Sequence, residues 1–295
     1  MPSEFQIETA ELHPIPIDPT EFADENARLR LRSAKAFVFD MDGVLYRGSQ
    51  VLPGVVDMLN ALTIRGYTFI LATNNSSASQ ADYVQKLANM GIEVTEQSIL
   101  TSSMATRDFL STELPQGAGV YVIGSQALRE QLFTDTSWEP VQFGERTPDA
   151  VVVGLDFGFS YEKLRLANAA IRDGAKFIAT NADATLPTEH GVVPGCGSIV
   201  AAIAAASGEM PIVIGKPEPL LIQMAVEHLG VDKSEAVMIG DRLDTDVIAG
   251  HRAGLLTVLV LTGVSSRAEI PSSPILPDLV FNDLPALLEA LVVEN

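Results

Sequence analysis

Residues 36–43 read Ala36-Phe37-Val38-Phe39-Asp40-Met41-Asp42-Gly43: four apolar residues running straight into two acids and a glycine. A short run that is apolar on both faces suits a buried strand of a parallel sheet. Alternation along an extended chain then puts Asp40 and Asp42 on the same side, and Gly43 lets the backbone turn sharply after them. Two carboxylates therefore face one small volume. At about 4 Å and an effective dielectric near 20 they repel by roughly 4 kcal/mol, so they need a cation, a shared proton or open water. Taken alone, the tetrapeptide is equally a solvated turn, and the rest of the chain has to decide.

Working outward, apolar runs of strand length recur at 67–72, 120–123, 151–154, 177–179, 212–214, 236–239 and 256–261. Between them lie segments of helical period at 55–65, 80–90, 161–172, 199–207, 219–229 and 284–291. This alternation predicts an α/β fold with a doubly wound parallel sheet. Ligands in such sheets bind outside the carboxyl ends of the strands, and the polar clusters of this chain fall there. After Asp40 and Asp42 come Thr73-Asn74-Asn75, then Gly215-Lys216-Pro217, then Gly240-Asp241-Arg242-Leu243-Asp244-Thr245-Asp246. The stretch between the second and third clusters is too long for a crossover and carries its own strand and helix signals. The expected organisation is an N-terminal extension over 1–33 with little structure of its own, a core over 34–116 and 210–295, and an inserted α/β cap domain over 117–209.

Each later cluster has a plainer reading when taken singly. Thr73, Asn74 and Asn75 are ordinary helix-capping residues, though a run of free amides before a helix is also an oxyanion site. Lys216 is a surface lysine or, with Pro217 fixing the start of the next helix, a stiffly aimed one. The acids of 241–246 favour a helix dipole, or supply the one or two carboxylates that magnesium prefers.

Composition narrows the function. The 295 residues carry 19 Lys and Arg against 38 Asp and Glu, a formal charge of −19. That field repels nucleic acid and anionic membranes, so neither is an expected partner. A phosphorylated substrate would be repelled as well, unless a metal, a lysine and backbone amides gather positive charge locally. The single cysteine, Cys196, allows no internal disulfide, and no apolar stretch approaches the roughly 20 residues of a membrane span. Cytoplasmic localisation is expected.

Together and in this order, the four clusters resemble the motifs of the haloacid dehalogenase superfamily. The Thr-Asn-Asn, Gly-Lys-Pro and Gly-Asp-Arg-Leu-Asp-Thr-Asp sequences and the large insertion resemble its subfamily IIA, which holds p-nitrophenyl, phosphoglycolate, pyridoxal, nucleotide and sugar phosphatases. The resemblance implies a Rossmann-like core and an Mg2+-dependent phosphomonoesterase acting on a small phosphorylated metabolite. It makes Asp40 the nucleophile, Asp42 the general acid and base, and Lys216 the charge neutraliser. Thr73, Asn74, Asn75 and Lys216 would hold the phosphoryl group. Asp40, the Asp42 carbonyl and Asp241 would hold the metal, with Asp246 orienting metal-bound water from behind. Leu186 falls where relatives place a substrate-facing cap side chain, which would suit a small or apolar leaving group. Cap-mediated homodimers are common in this branch. A phosphotransferase or mutase on the same core, or a silent phospho-ligand sensor, are the alternatives; the second acid favours phosphoester hydrolysis or transfer, and the full set of filled positions argues against the sensor.

Overall fold

The computed structural model describes residues 25–142, 146–188 and 191–292. Its main sheet has six strands in the order Leu279–Phe281, Leu256–Val260, Ala236–Gly240, Ala36–Phe39, Thr68–Thr73 and Ile99–Thr101, all parallel. From Ala36–Phe39 the chain adds strands on one side, then returns to add strands on the other. The order therefore reverses between Ala36–Phe39 and Ala236–Gly240, which is where a doubly wound sheet opens its ligand crevice. Asp40 and Asp241 are the next residues after these two strands.

Strand Ala36–Phe39 is buried at every position. Phe37 and Phe39 enter one apolar cluster with Leu62, Leu87 and Leu287, while Ala36 and Val38 enter another on the opposite face. The period of two along a strand produces this split. Each wholly buried phenylalanine is worth about 1.5–3 kcal/mol, which anchors the strand that carries Asp40.

A second sheet follows the order Ile212–Val213, Lys176–Ala179, Ala150–Val153, Gly119–Ile123 and Glu139–Pro140, again all parallel. One of its faces packs with helices Tyr161–Arg172 and Cys196–Ser207. Its other face joins the main sheet through helices: Val120, Val122, Val152 and Ile178 share one apolar cluster with Val38, Ile70 and Met238, and Leu110, Leu128, Leu132 and Leu221 of helices Ser102–Glu113, Gln126–Phe133 and Leu220–Leu229 belong to it as well. The cap is thus joined to the core by apolar packing as well as by its two chain crossings.

Three expectations change. Residues 25–33 form a helix, Glu25–Ser33, whose Ala27 and Leu31 lie four positions apart and are buried on the core; the little-structure reading overlooked that short apolar stripe between arginines. Strand Ile212–Val213 pairs with Lys176–Ala179, so the cap sheet extends past the boundary expected at 209. Helix Leu220–Leu229 begins after Pro219, so Pro217 precedes it and does not start it. Residues 1–24, the greater part of the expected extension, lie outside the described residues.

Candidate active site

The strand ends converge as their spacing predicts. Asp40 continues the pairing of its strand, its N–H donating to Ile239 O at 2.8 Å. Its carboxylate meets the ammonium of Lys216, which also contacts Asp246 Oδ1 at 2.8 Å and donates to Ala72 O at 3.2 Å. Lys216 is only 2% exposed. It is aimed by backbone contacts: Gly215 N donates to Thr180 O at 2.9 Å, and Asn74 Nδ2 donates to Lys216 O at 2.8 Å.

Asp40, Asp241 and Asp246 are all buried, with one carboxylate oxygen from each within 4.8 Å of the others. Asp246 Oδ2 accepts from the N–H groups of Asp241 and Arg242 at 3.2 and 3.1 Å. Asp241 Oδ2 accepts from Val264 N at 2.7 Å, while Asp241 Oδ1 is buried with no hydrogen-bond partner. The residues after Arg242 form a π-helical turn, Leu243–Val247, a bulge frequent at functional sites. That turn sends Asp246 back toward Lys216, and Arg242 grips Asp244 through two bonds at 3.0 and 2.9 Å. Asp246 stands next to Asp40 and Asp241, with Oδ2 on two backbone N–H groups and Oδ1 on the Lys216 ammonium, so both of its oxygens are already engaged.

Small residues make the room. A Cβ on Gly43 or Gly263 would overlap the Asp241 carboxylate, and one on Gly240 would overlap Asp246. Gly43 also has φ +87°, the left-handed region that favours glycine.

Electrostatics follow from the crowding. Burial, with Asp246 and Asp241 close by, pushes the Asp40 carboxyl well above the usual carboxylate range against the opposing pull of Lys216. Burial and then Asp246 push Asp241 up to about 7. Burial alone would pull Lys216 down, but Asp246 and Asp40 outweigh it and hold the ammonium above its ordinary value. One ammonium among three buried carboxylates leaves negative charge unmatched, and Asp241 Oδ1 lacks a donor. An all-oxygen cluster of this kind fits a hard divalent cation.

Asp42 stands at the open edge, exposed to solvent on one side and held by Tyr46 OH at 3.3 Å on the other. Lys86, set by the Ser79 and Asp82 capping box of helix Gln80–Asn89, lies 3.7 Å over the Tyr46 ring. Burial raises the Asp42 carboxyl, with Lys86 and Tyr46 opposing. A carboxyl tuned upward suits a proton donor.

Thr73, Asn74 and Asn75 follow strand Thr68–Thr73 into the same crevice. Asn75 N donates to Thr73 Oγ1 at 3.1 Å, and Asn75 Oδ1 accepts from Ser77 N at 2.8 Å. The Asn74 side chain is committed to Lys216 O and to Asp183 Oδ2, the latter at 3.1 Å. Leu186 lies on the hairpin Thr185–Thr188 with Gly191–Pro194, where it packs against the cap's own apolar cluster. Cys196 is buried and its thiol is pushed up to about 12 by that burial, as suits an inert packing residue.

Sequence reasoning missed a fifth strand-end cluster, 262–266. Val264 N holds Asp241, Ser265 Oγ accepts from Leu243 N at 3.0 Å, and Thr262 Oγ1 donates to Gly43 O at 2.6 Å. The strand-end rule that found the other four applies equally to Leu256–Val260. Tyr46 lies four residues after Asp42 in the same turn but reads in sequence as an ordinary apolar position, and Lys86 carried no signal because it reaches this corner only through the tertiary fold.

A reversing parallel α/β sheet whose carboxyl edge gathers three acids, a lysine and a Thr-Asn-Asn loop beneath an inserted cap suits a site for a divalent cation and a small anionic ligand. Comparison with known proteins agrees. A profile of haloacid dehalogenase-like hydrolases matches residues 37–134, and one of HAD-hydrolase-like proteins matches 213–287. The chain is 37% identical over 254 residues to an acid sugar phosphatase of Staphylococcus aureus, spanning 86% of this chain and 96% of that one. It is similar to the crystal structure of 4-nitrophenylphosphatase from Thermotoga maritima, with a TM-score of 0.82 and 36% identity over 89% of this chain and 99% of the other. Glycerol phosphate phosphatase of Mycobacterium tuberculosis, solved in complex with magnesium, matches with a TM-score of 0.82 and 35% identity over 88% and 77% of the two chains. The protein belongs to the haloacid dehalogenase-like hydrolases, and within them to the subfamily IIA type.

Proposed function

We propose that this chain is a magnesium-dependent phosphomonoesterase of small phosphorylated metabolites, working in the cytoplasm through a phosphorylated Asp40. The observation that carries the reading is the buried Lys216 ammonium bridging Asp40 and Asp246, with the partnerless Oδ1 of Asp241 beside it. Asp40, the Asp42 carbonyl and Asp241 would hold Mg2+, with Asp246 behind them on Lys216 and two backbone N–H groups, and the ion when bound would supply positive charge against the incoming phosphate.

The remaining steps belong to the chain's own groups. The phosphoryl oxygens would accept from the Thr73 hydroxyl, whose oxygen is held by Asn75 N, and from N–H groups of the loop as they turn to the substrate, where fixed donors stabilise developing charge. An Asp40 carboxylate oxygen attacks phosphorus; the phosphorus bond to the ester oxygen breaks, and that oxygen takes a proton from Asp42. Asp42 then accepts a proton from water as the water attacks phosphorus. The bond from phosphorus to Asp40 breaks, and inorganic phosphate leaves. Splitting one slow displacement into two is the advantage of a covalent route.

Borohydride reduction during turnover of p-nitrophenyl phosphate tests this, because it converts an acyl phosphate to an alcohol. Peptide mapping should find homoserine in place of Asp40. Turnover that continues with no tag, or with a tag at another acid, would remove Asp40 from this role.

A further inference from the structure

We propose that Asn181 and Asp183, both carried by the cap, are positioning residues for the phosphate loop, so that the cap is part of the phosphate site and not only a cover over it. The inference rests on the phosphatase reading above. Asn181 is 4% exposed, and it follows strand Lys176–Ala179. Its Nδ2 donates to Asn74 O at 2.8 Å, and Ser102 Oγ donates to that same oxygen at 2.6 Å. A trans peptide is planar, so a carbonyl pinned on one side aims the next N–H to the opposite side. The N–H so aimed is that of Asn75, which meets Thr73 Oγ1 in the loop.

Asp183 works on the Asn74 side chain. Asn74 Nδ2 has two hydrogens, and both are used: one on Lys216 O at 2.8 Å, the other on Asp183 Oδ2 at 3.1 Å. Two acceptors on one side fix which end of the amide is nitrogen. The Asn74 Oδ1 end is buried without a partner, and a Cβ on Gly215 would stand 2.5 Å from it, so the amide is closely confined. Asp183 N in turn donates to Asn181 Oδ1 at 3.1 Å, which ties the two cap residues together. Ser125 and Thr180, also from the cap, bond Ser76 at 3.2 and 3.1 Å. One asparagine of the loop therefore joins the loop backbone, the Lys216 backbone and the cap.

The physical consequence is coupling. If the cap residues lose these bonds, the Asn75 N–H, the Thr73 hydroxyl that it holds and Lys216 lose their direction together, whatever alcohol the phosphate is attached to. A misplacement of about 1 Å in such a site can cost about 100-fold in rate.

The test uses the Mg2+-loaded full chain with Asp183→Ala, Asn181→Ala, Asn74→Ala and the double variant Asn74→Ala/Asp183→Ala; alanine is used at 183 because an asparagine there would keep an acceptor oxygen for Asn74 Nδ2. Each is assayed on p-nitrophenyl phosphate, glycerol phosphate and a sugar phosphate, with inorganic phosphate as inhibitor. Asp183→Ala and Asn181→Ala should lower kcat/KM by roughly 10- to 100-fold. The factor should be similar for all three esters, with weaker phosphate inhibition. In the Asn74→Ala background, Asp183→Ala should add little further loss, because the two act as a unit. If Asn181→Ala does not fold, Asp183→Ala carries the test, since Asp183 is only half-buried. Wild-type values for Asp183→Ala would overturn the proposal. So would a loss confined to the hydroxyl-rich esters, which would make Asp183 a leaving-group contact, or a full loss persisting without Asn74. A wild-type protein that releases phosphate from none of the esters would instead overturn the phosphatase reading.

Discussion

Replacing Lys216 by methionine removes one charge and keeps most of the apolar stem, so its effect isolates the ammonium. In the folded protein that ammonium is 2% exposed and touches Asp40, Asp246 at 2.8 Å and a backbone carbonyl. At 2.8 Å and an effective dielectric of about 20, the pair with Asp246 alone is worth about 6 kcal/mol before desolvation is subtracted. Without Lys216, three carboxylates within 4.8 Å face one another, each pair repelling by about 3.5 kcal/mol on the same scale. Breaking a buried ion pair from one side typically costs about 3–5 kcal/mol once the orphaned acids relax or take up protons. For a chain of this size that corresponds to a fall in Tm of about 6–20 °C. Circular dichroism melts in EDTA at pH 7.5 measure it. Excess Mg2+ should restore part of the loss, by about 2.7 kcal/mol at a concentration 100 times its Kd. The double variant Lys216→Met/Asp246→Asn should melt higher than Lys216→Met, because it removes one of the repelling charges. A single variant that melts within 2 °C of the wild type in EDTA, on the order of 1 kcal/mol or less, refutes this account, as does a double variant that melts no higher than the single one.

Asp40→Asn should lose more than about 1000-fold in kcat while keeping its fold, since it removes the nucleophile but preserves shape; p-nitrophenol release and a far-UV spectrum decide both parts. Metal-free stability should depend on pH through Asp241, whose folded value of about 7 lies above its ordinary 3.8. A raised carboxyl contributes stability that is complete below pH 4 and is lost as pH rises to 7, by up to about 4 kcal/mol. Melts in EDTA across that window should show this trend, and saturating Mg2+ should remove it; equal Tm values at pH 5 and pH 7.5 in EDTA would count against it. Gly263→Ala drives a Cβ into the Asp241 carboxylate. Titration with Mg2+ should show weaker apparent activation than in the wild type, and unchanged activation would mean that the cradle relaxes without cost.

The parts of this protein that could be read from sequence are those written in local pattern. The run Ala36–Phe39 announces a buried strand because all four residues are apolar, and strand-end polarity then locates Asp40, Thr73, Lys216 and Asp241 without any contact being known. Segment 161–172 is helical over the whole expected span, with Ser160 capping it. What local pattern cannot encode is which side chains meet across long separations. Lys86 with Tyr46, Asp183 with Asn74, and Val264 with Asp241 are brought together by topology, and nothing in their own neighbourhoods marks them. Ile212–Val213 shows the same limit for strands: its apolar character predicts a strand but not which of two parallel sheets receives it.

The charge of the site also sets an order of events. Once the pH is high enough for the three acids to ionise against one lysine, despite the upward push on Asp40 and Asp241, the metal-free cluster is net negative inside a chain that is itself strongly acidic. A phosphate dianion approaching that cluster meets repulsion that the loop amides, as neutral donors, do not cancel. Burial makes this worse, because the cluster is not screened by salt as a surface charge would be. A divalent cation brings the cluster to near neutrality and leaves the loop donors and Lys216 to decide the phosphate's position. Inorganic phosphate should therefore protect the protein against thermal unfolding only when Mg2+ is present. A Tm rise with phosphate in EDTA equal to that with Mg2+ would show that the loop and Lys216 suffice alone, and the dependence on metal would then have to lie in the chemical step.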